Sequence, residues 1–387
     1  MKYLHISKYI KEYIKIVIVL SSLISCMMLV GCNNKDSSKG TLDFASLEQT
    51  GEIELEYASR FRILMYGDYR MIEIESESNI FIVPENGEMP CNLPDDTIVL
   101  KQPLDKTYLV STSAMDLIRE CGALDYIRLS GTKESDWYIA EAQLAMQNGS
   151  MLYAGKYSAP DYELILNEKC NLAIENTMIY HNPEVKEKLE SLDIPVIVEH
   201  SSYEVHPLGR LEWIKFYGTL FGKEEEAVNY FNQQTALLSE ITESDFAGKT
   251  VAFFYVTTNG SVNVRKPNDY IAKMIEMAGG EYILNGMDVE EDNSLSTMNM
   301  QMEAFYELAS EADIIIYNST IVGELGSTDD LLAMDALFKD FKAVKNGKVY
   351  CTSKNFFQET TGTAEFIRDM NNVLNDYEGD FYYLKKL

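Results

Sequence analysis

Two arginines and a set of aromatic side chains stand in polar stretches of this chain rather than on periodic apolar faces. Arg210 and Arg265 are the cationic candidates, because a guanidinium offers a planar fork of donors that matches carboxylate or phenolate oxygens. Trp137, Tyr157, Tyr180, Tyr203 and Phe356 supply rings for a planar or catechol-like ligand, and Thr112, Asn259 and Gln358 supply neutral polar contacts. For each Arg the competing role is a solvated charge or an ion pair; for Trp137 and Tyr203 it is packing. His181, His200 and His206, with Glu199 and Glu204 beside them, form the alternative, a site for bare Zn²⁺ or Mn²⁺. The chain beyond His206 holds no His, so a two-sided metal site there would have to use carboxylates. Covalent chemistry has no foothold: GxSxG, HExxH, P-loop and GxGxxG patterns are all missing. With 61 Asp and Glu, carboxylate pairs arise by chance, and a surface hydrolase is a remote alternative.

Composition narrows the classes further. In 387 residues, 33 Lys and Arg face 61 acidic residues, a net charge of −28 that argues against nucleic-acid binding. Length allows two domains or three, with cores that fold without staples. Cys91, Cys121, Cys170 and Cys351 match neither a zinc motif nor a CxxC pair, so free thiols are expected, with Cys121 and Cys170 buried. Their redox state stays open.

The first 31 residues read as a signal peptide. Lys2, Lys8, Lys11 and Lys15 form a basic start, and Ile16 to Val30 is an apolar run short for a spanning helix. It ends in Leu29-Val30-Gly31-Cys32, which resembles a lipoprotein cleavage box. Cleavage there would leave Cys32 acylated and the chain anchored on the outer face of a membrane. Residues 32–51 follow as a polar tether.

The elements that must position the candidates come next. Residues 52–106 read as short β-prone runs joined by Gly67-Asp68 and Glu85-Asn86-Gly87, an antiparallel meander. From Thr107 the pattern turns to strand then helix, repeatedly. Strands are predicted at 108–110, 126–129, 171–175 and 195–198, with helices at 113–120, 135–147 and 184–192 between and after them. Such alternation predicts a parallel, helix-flanked sheet. Pro207 opens a helix that Gly222 can end, and a second helix over 224–241 is long enough to cross between lobes. After Gly248 the alternation restarts, with a last helix over 363–375. The fold class is therefore α/β: an amino-terminal lobe (107–222), an interlobe helix (223–245) and a carboxy-terminal lobe (246–387), both lobes Rossmann-like.

In order and spacing these residues resemble the solute-binding lipoproteins of ABC importers for iron complexes, haem and cobalamin. Ala159-Pro160-Asp161-Tyr162-Glu163-Leu164-Ile165 resembles the family's Pro-x-x-Glu helix. Phe246-Ala247-Gly248-Lys249-Thr250 resembles its linker into the second lobe, and Ala343-Val344-Lys345-Asn346-Gly347-Lys348-Val349-Tyr350 a late segment of that lobe. The resemblance covers the chain from Thr107 onward and implies several things. The ligand would lie between the lobes: a ferric siderophore by preference, then haem or a corrinoid. No intrinsic cofactor, no nucleic acid and no chemistry are implied, and the protein would work as a monomer with ABC permease subunits. The resemblance also implies one exposed Glu per lobe for docking the permease, here Glu163 and Glu303. The meander over 52–106 departs from the compact members, and its role is left open.

Overall fold

The computed structural model describes residues 42–241, 247–288 and 296–387. The signal segment, Cys32 and the first part of the tether lie outside the described residues. Residues 42–44 and 88–92 form a small unit of their own, in which Leu42–Asp43 pairs in parallel with Pro90–Cys91 and Asn92 donates to Asp43. All that follows belongs to the second, larger unit.

Its amino-terminal sheet has five strands in sequence order: β1 (Gly51–Ile53), β2 (Phe61–Tyr66), β3 (Tyr69–Ile74), β4 (Ile80–Val83) and β5 (Ile98–Lys101). Gly67 makes the two-residue turn between β2 and β3, at a φ of +62° that suits a residue without Cβ. The expected antiparallel meander holds for the first three pairings only. β5 runs parallel to β4, Ile80 opposite Ile98 through Val83 opposite Lys101, because the connection over 84–97 crosses back instead of forming a hairpin.

The first lobe is a parallel sheet, as the alternation predicts. Its strands are β6 (Thr107–Leu109), β7 (Ile127–Ser130), β8 (Leu152–Tyr153), β9 (Leu172–Asn176) and β10 (Val196–Glu199), in the spatial order β8-β7-β6-β9-β10. Its helices are α1 (Thr112–Glu120), α2 (Ala140–Gln147), α3 (Tyr162–Asn167) and α4 (Pro183–Glu190). Every residue of β10 is buried, the mark of a strand covered on both faces. α2 starts later than predicted, since residues 134–136 form a separate 3-10 turn.

Helix α5 (Pro207–Phe221) is buried along nearly its whole length, and Gly222 ends it in the left-handed conformation at φ +67°. The amino-terminal sheet rests on it. Phe61 lies 4.6 Å from Trp213 and 5.7 Å from Phe216, ring centre to ring centre, within one apolar core that also holds Ile63, Ile72, Ile118 and Leu220. Two buried carboxylates fasten the segment 54–60 to this helix. Glu212 accepts the backbone N–H groups of Glu56, Tyr57 and Ala58 at 2.8–2.9 Å, and Glu204 those of Ser59 and Arg60 at 2.9 Å. Helix α6 (Glu224–Leu238) carries the chain onward and ends three residues short of the predicted 241.

The second lobe contains β11 (Thr250–Val256), β12 (Val262–Arg265), α7 (Tyr270–Met277), β13 (Glu281–Tyr282), β14 (Thr297–Met300), α8 (Met302–Ala309), β15 (Ile314–Tyr317), α9 (Ser319–Val322), α10 (Thr328–Met334), α11 (Lys342–Lys345), β16 (Val349–Thr352), α12 (Thr363–Leu374) and β17 (Leu384–Lys386). β11, β15 and β16 run parallel at the centre, β13 joins β11 in parallel, and β12, β14 and β17 are antiparallel additions. All residues of β15 and β16 are buried.

Candidate functional site

Parallel strands deliver their following loops to one end of a sheet, and ligands of such folds bind beyond those carboxyl ends. In both lobes the ends lead into short polar segments, and there the lobes touch. Gln358, after β16, spans both directions: its carbonyl accepts Tyr138 N–H and its amide donates to Asp136 O, each at 2.8 Å. Thr360 donates to Ser113 O at 3.2 Å, and Thr361 donates both its N–H and its hydroxyl to Asp116, at 2.8 and 2.5 Å. Asp116 sits in the first helix of lobe one, where the spacing suggests a cap partner for Ser113. It is instead fully buried and holds the other lobe. Burial raises its carboxyl to about 6, with Arg119, at 2.6 Å, pulling the other way.

Beside these contacts lies a cavity of about 50 Å³ lined by Ser113, Arg210, Tyr270, Met274, Phe357 and Thr360, among others. Arg210 reaches it from α5, its guanidinium carbon 3.7 Å from the centre of the Tyr270 ring. The group is held in place by donating from Nε to Glu204 O at 2.9 Å and from Nη2 to Ser202 O at 2.6 Å. Arg265 comes from the end of β12, 4.8 Å over Phe357 and 5.6 Å from Tyr270, with Asp269 3.7 Å away. Burial lowers the pKa of Arg210 and raises that of Asp269. The two guanidiniums and two rings form one stack contributed by both lobes. A larger hollow of about 480 Å³ lies along β17 and contains none of the candidate residues.

The remaining candidates are scattered. Trp137 is 1% exposed, in the core of lobe one with its indole N–H on Ser130, so it is a packing residue and not part of the cleft lining. Tyr157, at the hairpin of Gly155–Lys156 and Ala159–Pro160, packs on the apolar cluster around Ile165. Phe356 turns into the core of lobe two, stacked 4.3 Å from Phe366, and also borders the cavity. Asn259 is exposed and holds its own turn, accepting from Thr257 and Ser261. Thr112 opens α1, next to Ser111, whose hydroxyl donates to the buried Glu199 at 2.8 Å.

The alternative metal set His181, His200 and His206 is not assembled. His181 is exposed on a 3-10 turn, and His206 caps α5 by accepting Leu208 N–H while stacking on Tyr57 at 4.7 Å. His200 is buried against Tyr180 and Glu77. Among the described residues no three His, Cys, Asp or Glu side chains come together as metal ligands. Tyr180 and Tyr203 flank His200 at the ends of β9 and β10, with the Tyr203 ring 5.2 Å from the imidazole. Burial pushes the Glu77 carboxyl up, but hydrogen bonds from His200 and Tyr180 outweigh it and hold it below the usual range. All four described cysteines are free thiols, with Cys121 and Cys351 buried.

Nothing in the sequence marks Tyr270 or Glu77 as site residues, Asp116 reads there only as a capping partner, and Phe357 stands out only as part of the run Phe356-Phe357-Gln358. Tyr270 follows a helix-capping Asp269; Glu77 lies more than a hundred residues from its partners.

Glu163 and Glu303 occupy matching places, each the second residue of its helix, α3 and α8. Both are exposed, and neither makes an ion pair with any described residue. Glu168, the neighbour with which Glu163 is most easily confused, is taken by Arg128 at 2.8 Å.

One buried acid stands apart. Glu175 in β9 is fully buried, and neither carboxylate oxygen has a hydrogen-bond partner among the described residues. Burial pushes its pKa up to about 8 from 4.5. Between those values the unfolded chain is ionised and the folded one protonated, so stability falls as pH rises, by about 1.4 kcal/mol per unit. Glu175→Gln is therefore expected to be about 3 kcal/mol more stable than the native chain at pH 7 and equal to it near pH 4. Urea unfolding at the two pH values checks this, and an equal difference at both would refute it.

The periplasmic binding protein family model matches residues 128–355. A lipoprotein of Methanocaldococcus jannaschii, MJ0878, is 24% identical over 386 aligned positions, covering 93% of this chain and 91% of that one. A periplasmic haem-binding protein from Pseudomonas aeruginosa superposes with a TM-score of 0.56 at 12% identity, over 73% of this chain and 95% of the other. A protein of an ABC-type Fe³⁺-hydroxamate transport system from Saccharomonospora viridis gives 0.52 at 17% identity, over 72% and 94%. At these identities the two structures establish a shared fold.

Proposed function

The chain belongs to the periplasmic binding protein family, and from that premise we propose that it captures an iron complex between its lobes, a ferric siderophore by preference, for an ABC importer. It is a transport protein and not an enzyme. The observation that carries the ligand reading is the interlobe stack of Arg210, Tyr270, Arg265 and Phe357. Its cations suit the carboxylate, hydroxamate or catecholate oxygens of an iron chelate, and its rings suit flat ligand surfaces. Similarity to named lipoproteins supports acylation at Cys32 and an outer-face membrane anchor. Among the described residues no helix is long and apolar enough to cross a membrane. Glu163 and Glu303 are the proposed docking points for the permease, each with an exposed leucine on the same helix, Leu166 and Leu308.

The test is calorimetric titration of the detergent-solubilised full chain with a ferric hydroxamate, a ferric catecholate, hemin and cobalamin. Saturable binding of a ferric siderophore is expected, weakened about 10- to 100-fold by Arg210→Ala as charge-assisted bonds are lost. Saturation by hemin or cobalamin alone would move the assignment to a macrocycle. Silence across the panel would overturn the iron reading.

A further inference from the structure

The connection between β1 and β2, residues 54–60, lies against the start of α5, and separate contacts fix it there. Glu204, only 1% exposed, turns its carboxylate to this segment. It accepts the N–H groups of Ser59 and Arg60 at 2.9 Å and the Ser59 hydroxyl at 3.0 Å. The Trp213 indole N–H, from within α5, donates to the same carboxylate at 3.2 Å. Tyr57 stacks 4.7 Å from His206, the residue that caps the helix. At Gly209 the two backbones come so close that a Cβ would stand 3.0 Å from Tyr57 O and 3.3 Å from Glu204 Oε2. The next residue is Arg210.

Arg210 leans back on the same support, donating from Nε to Glu204 O and from Nη2 to Ser202 O. Carbonyls carry no net charge, so the guanidinium keeps its own, and its other N–H groups remain for a ligand. Glu204 therefore works in two directions, its side chain holding the amino-terminal segment and its carbonyl holding the arginine of the interlobe cavity. We propose that the amino-terminal sheet sets the position of Arg210, with Glu204 as the positioning residue. This rests on the interlobe reading above and deepens it. Ligand affinity is governed in part by a segment that belongs to neither lobe and lines none of the cavity.

The physical reason is preorganisation. A long arginine side chain has much rotamer freedom, and fixing it before the ligand arrives removes that ordering cost from binding. The loop that fixes it contains only a 3-10 turn, Ser201–Tyr203, with no ladder of its own to stiffen it. Without the Glu204 carboxylate, two N–H groups, a hydroxyl and an indole lose their acceptor. The loop then relaxes, and the carbonyls of Ser202 and Glu204 move away from the guanidinium. The sign of the effect separates position from charge. Glu204→Gln removes a buried anion near Arg210, which by Coulomb attraction alone would tighten an anionic chelate; loss of position weakens it.

The test reads Arg210 directly, by nuclear magnetic resonance of the detergent-solubilised full chain carrying isotopically labelled arginine. The Arg210 Nε–H resonance, assigned by its absence in Arg210→Lys, should exchange slowly with solvent and be shifted by the Tyr270 ring. Glu204→Gln and Gly209→Ala should each move it toward the free-arginine position and speed its exchange at least about tenfold. Gly209→Ala removes no hydrogen-bonding group and favours the helix, so it keeps the fold while pushing the segment away. Ile174→Ala, in the same apolar core but away from this junction, should lower the melting temperature and leave the resonance in place. A resonance unmoved in both junction variants, or moved equally by Ile174→Ala, overturns the proposal. Calorimetry with ferric enterobactin, an anionic tris-catecholate, reads the consequence. Glu204→Gln should weaken binding about fivefold or more in the native chain and no further in Arg210→Ala, the signature of groups acting through one another. Tighter binding, or an equal loss in both backgrounds, would also overturn it. Absence of binding to the native chain would count against the iron reading, and the resonance alone would then decide the positioning.

Discussion

Glu212→Ala is expected to remove about 3–5 kcal/mol of folding stability, the range for stranding the partner of a buried ion pair. The carboxylate is completely buried in α5 and serves two sets of groups. It accepts three successive N–H groups from residues 56–58, and it pairs with Lys215 at 2.7 Å. Lys215 is itself only 7% exposed, donates to Glu54 O at 2.9 Å and lies 4.5 Å over the Phe231 ring. Truncation therefore leaves a buried ammonium without its counter-charge and three backbone donors without an acceptor, each orphan costing about 1–3 kcal/mol. Glu212→Gln keeps an acceptor oxygen in place but removes the charge, so its loss should fall between the native chain and Glu212→Ala. Urea unfolding of both variants checks the order, with a fall in midpoint at constant slope as the signature of lost stability. A loss below about 1 kcal/mol for Glu212→Ala would mean that water replaces the carboxylate at no cost, and that this attachment of the sheet is incidental.

That attachment also marks the boundary of what a sequence makes legible. Periodic features came through: the βα alternation from Thr107, the helix opened by Pro207 and closed by Gly222, and the buried apolar strands of both lobes. Each depends on neighbours a few residues away, which leave a repeating mark. Pairings over long separations leave none. Nothing near Glu204 or Glu212 announces that they will serve the backbone of residues 56–60, about 150 positions away. The same holds for Glu77 beside Tyr180 and His200, and for Asp116 beneath Thr361.

Placement in a polar stretch is the rule that marks Arg210 and Arg265, although the structure puts Arg210 in α5 and Arg265 at the end of β12. The rule cannot tell which way a loop ring turns. Trp137 and Phe356 turn into cores, while Phe357, the next residue along, turns to Arg265. Direction in a loop is set by what packs beneath it, and that is a property of the whole fold. The parallel pairing of β4 with β5 was hidden for a related reason: a crossover of this length has no turn residues that distinguish it from a long hairpin loop.

Reversing both proposed docking charges, Glu163→Arg together with Glu303→Arg, is expected to abolish uptake in cells while leaving ligand affinity in solution unchanged. The separation of the two effects follows from placement. Both side chains are exposed on the first turns of α3 and α8, and none of the residues that line the interlobe cavity belongs to either helix. A glutamate at the start of a helix gains from the positive end of the macrodipole, by about 0.3–1 kcal/mol, so each reversal costs little stability and the variant should fold. What changes is the field that a permease surface would meet. Like charges set against each other cost several kcal/mol and cut both the encounter rate and the correct orientation. One site on each lobe fixes a direction as well as a position, so the single variants should each reduce uptake and the double variant should stop it. Uptake of the radiolabelled ferric complex measures the first effect and calorimetry the second. Full uptake by the double variant would sink the docking assignment. Loss of ligand affinity alongside loss of uptake would show that the helices act on the cleft, and the defect could no longer be placed at the permease surface.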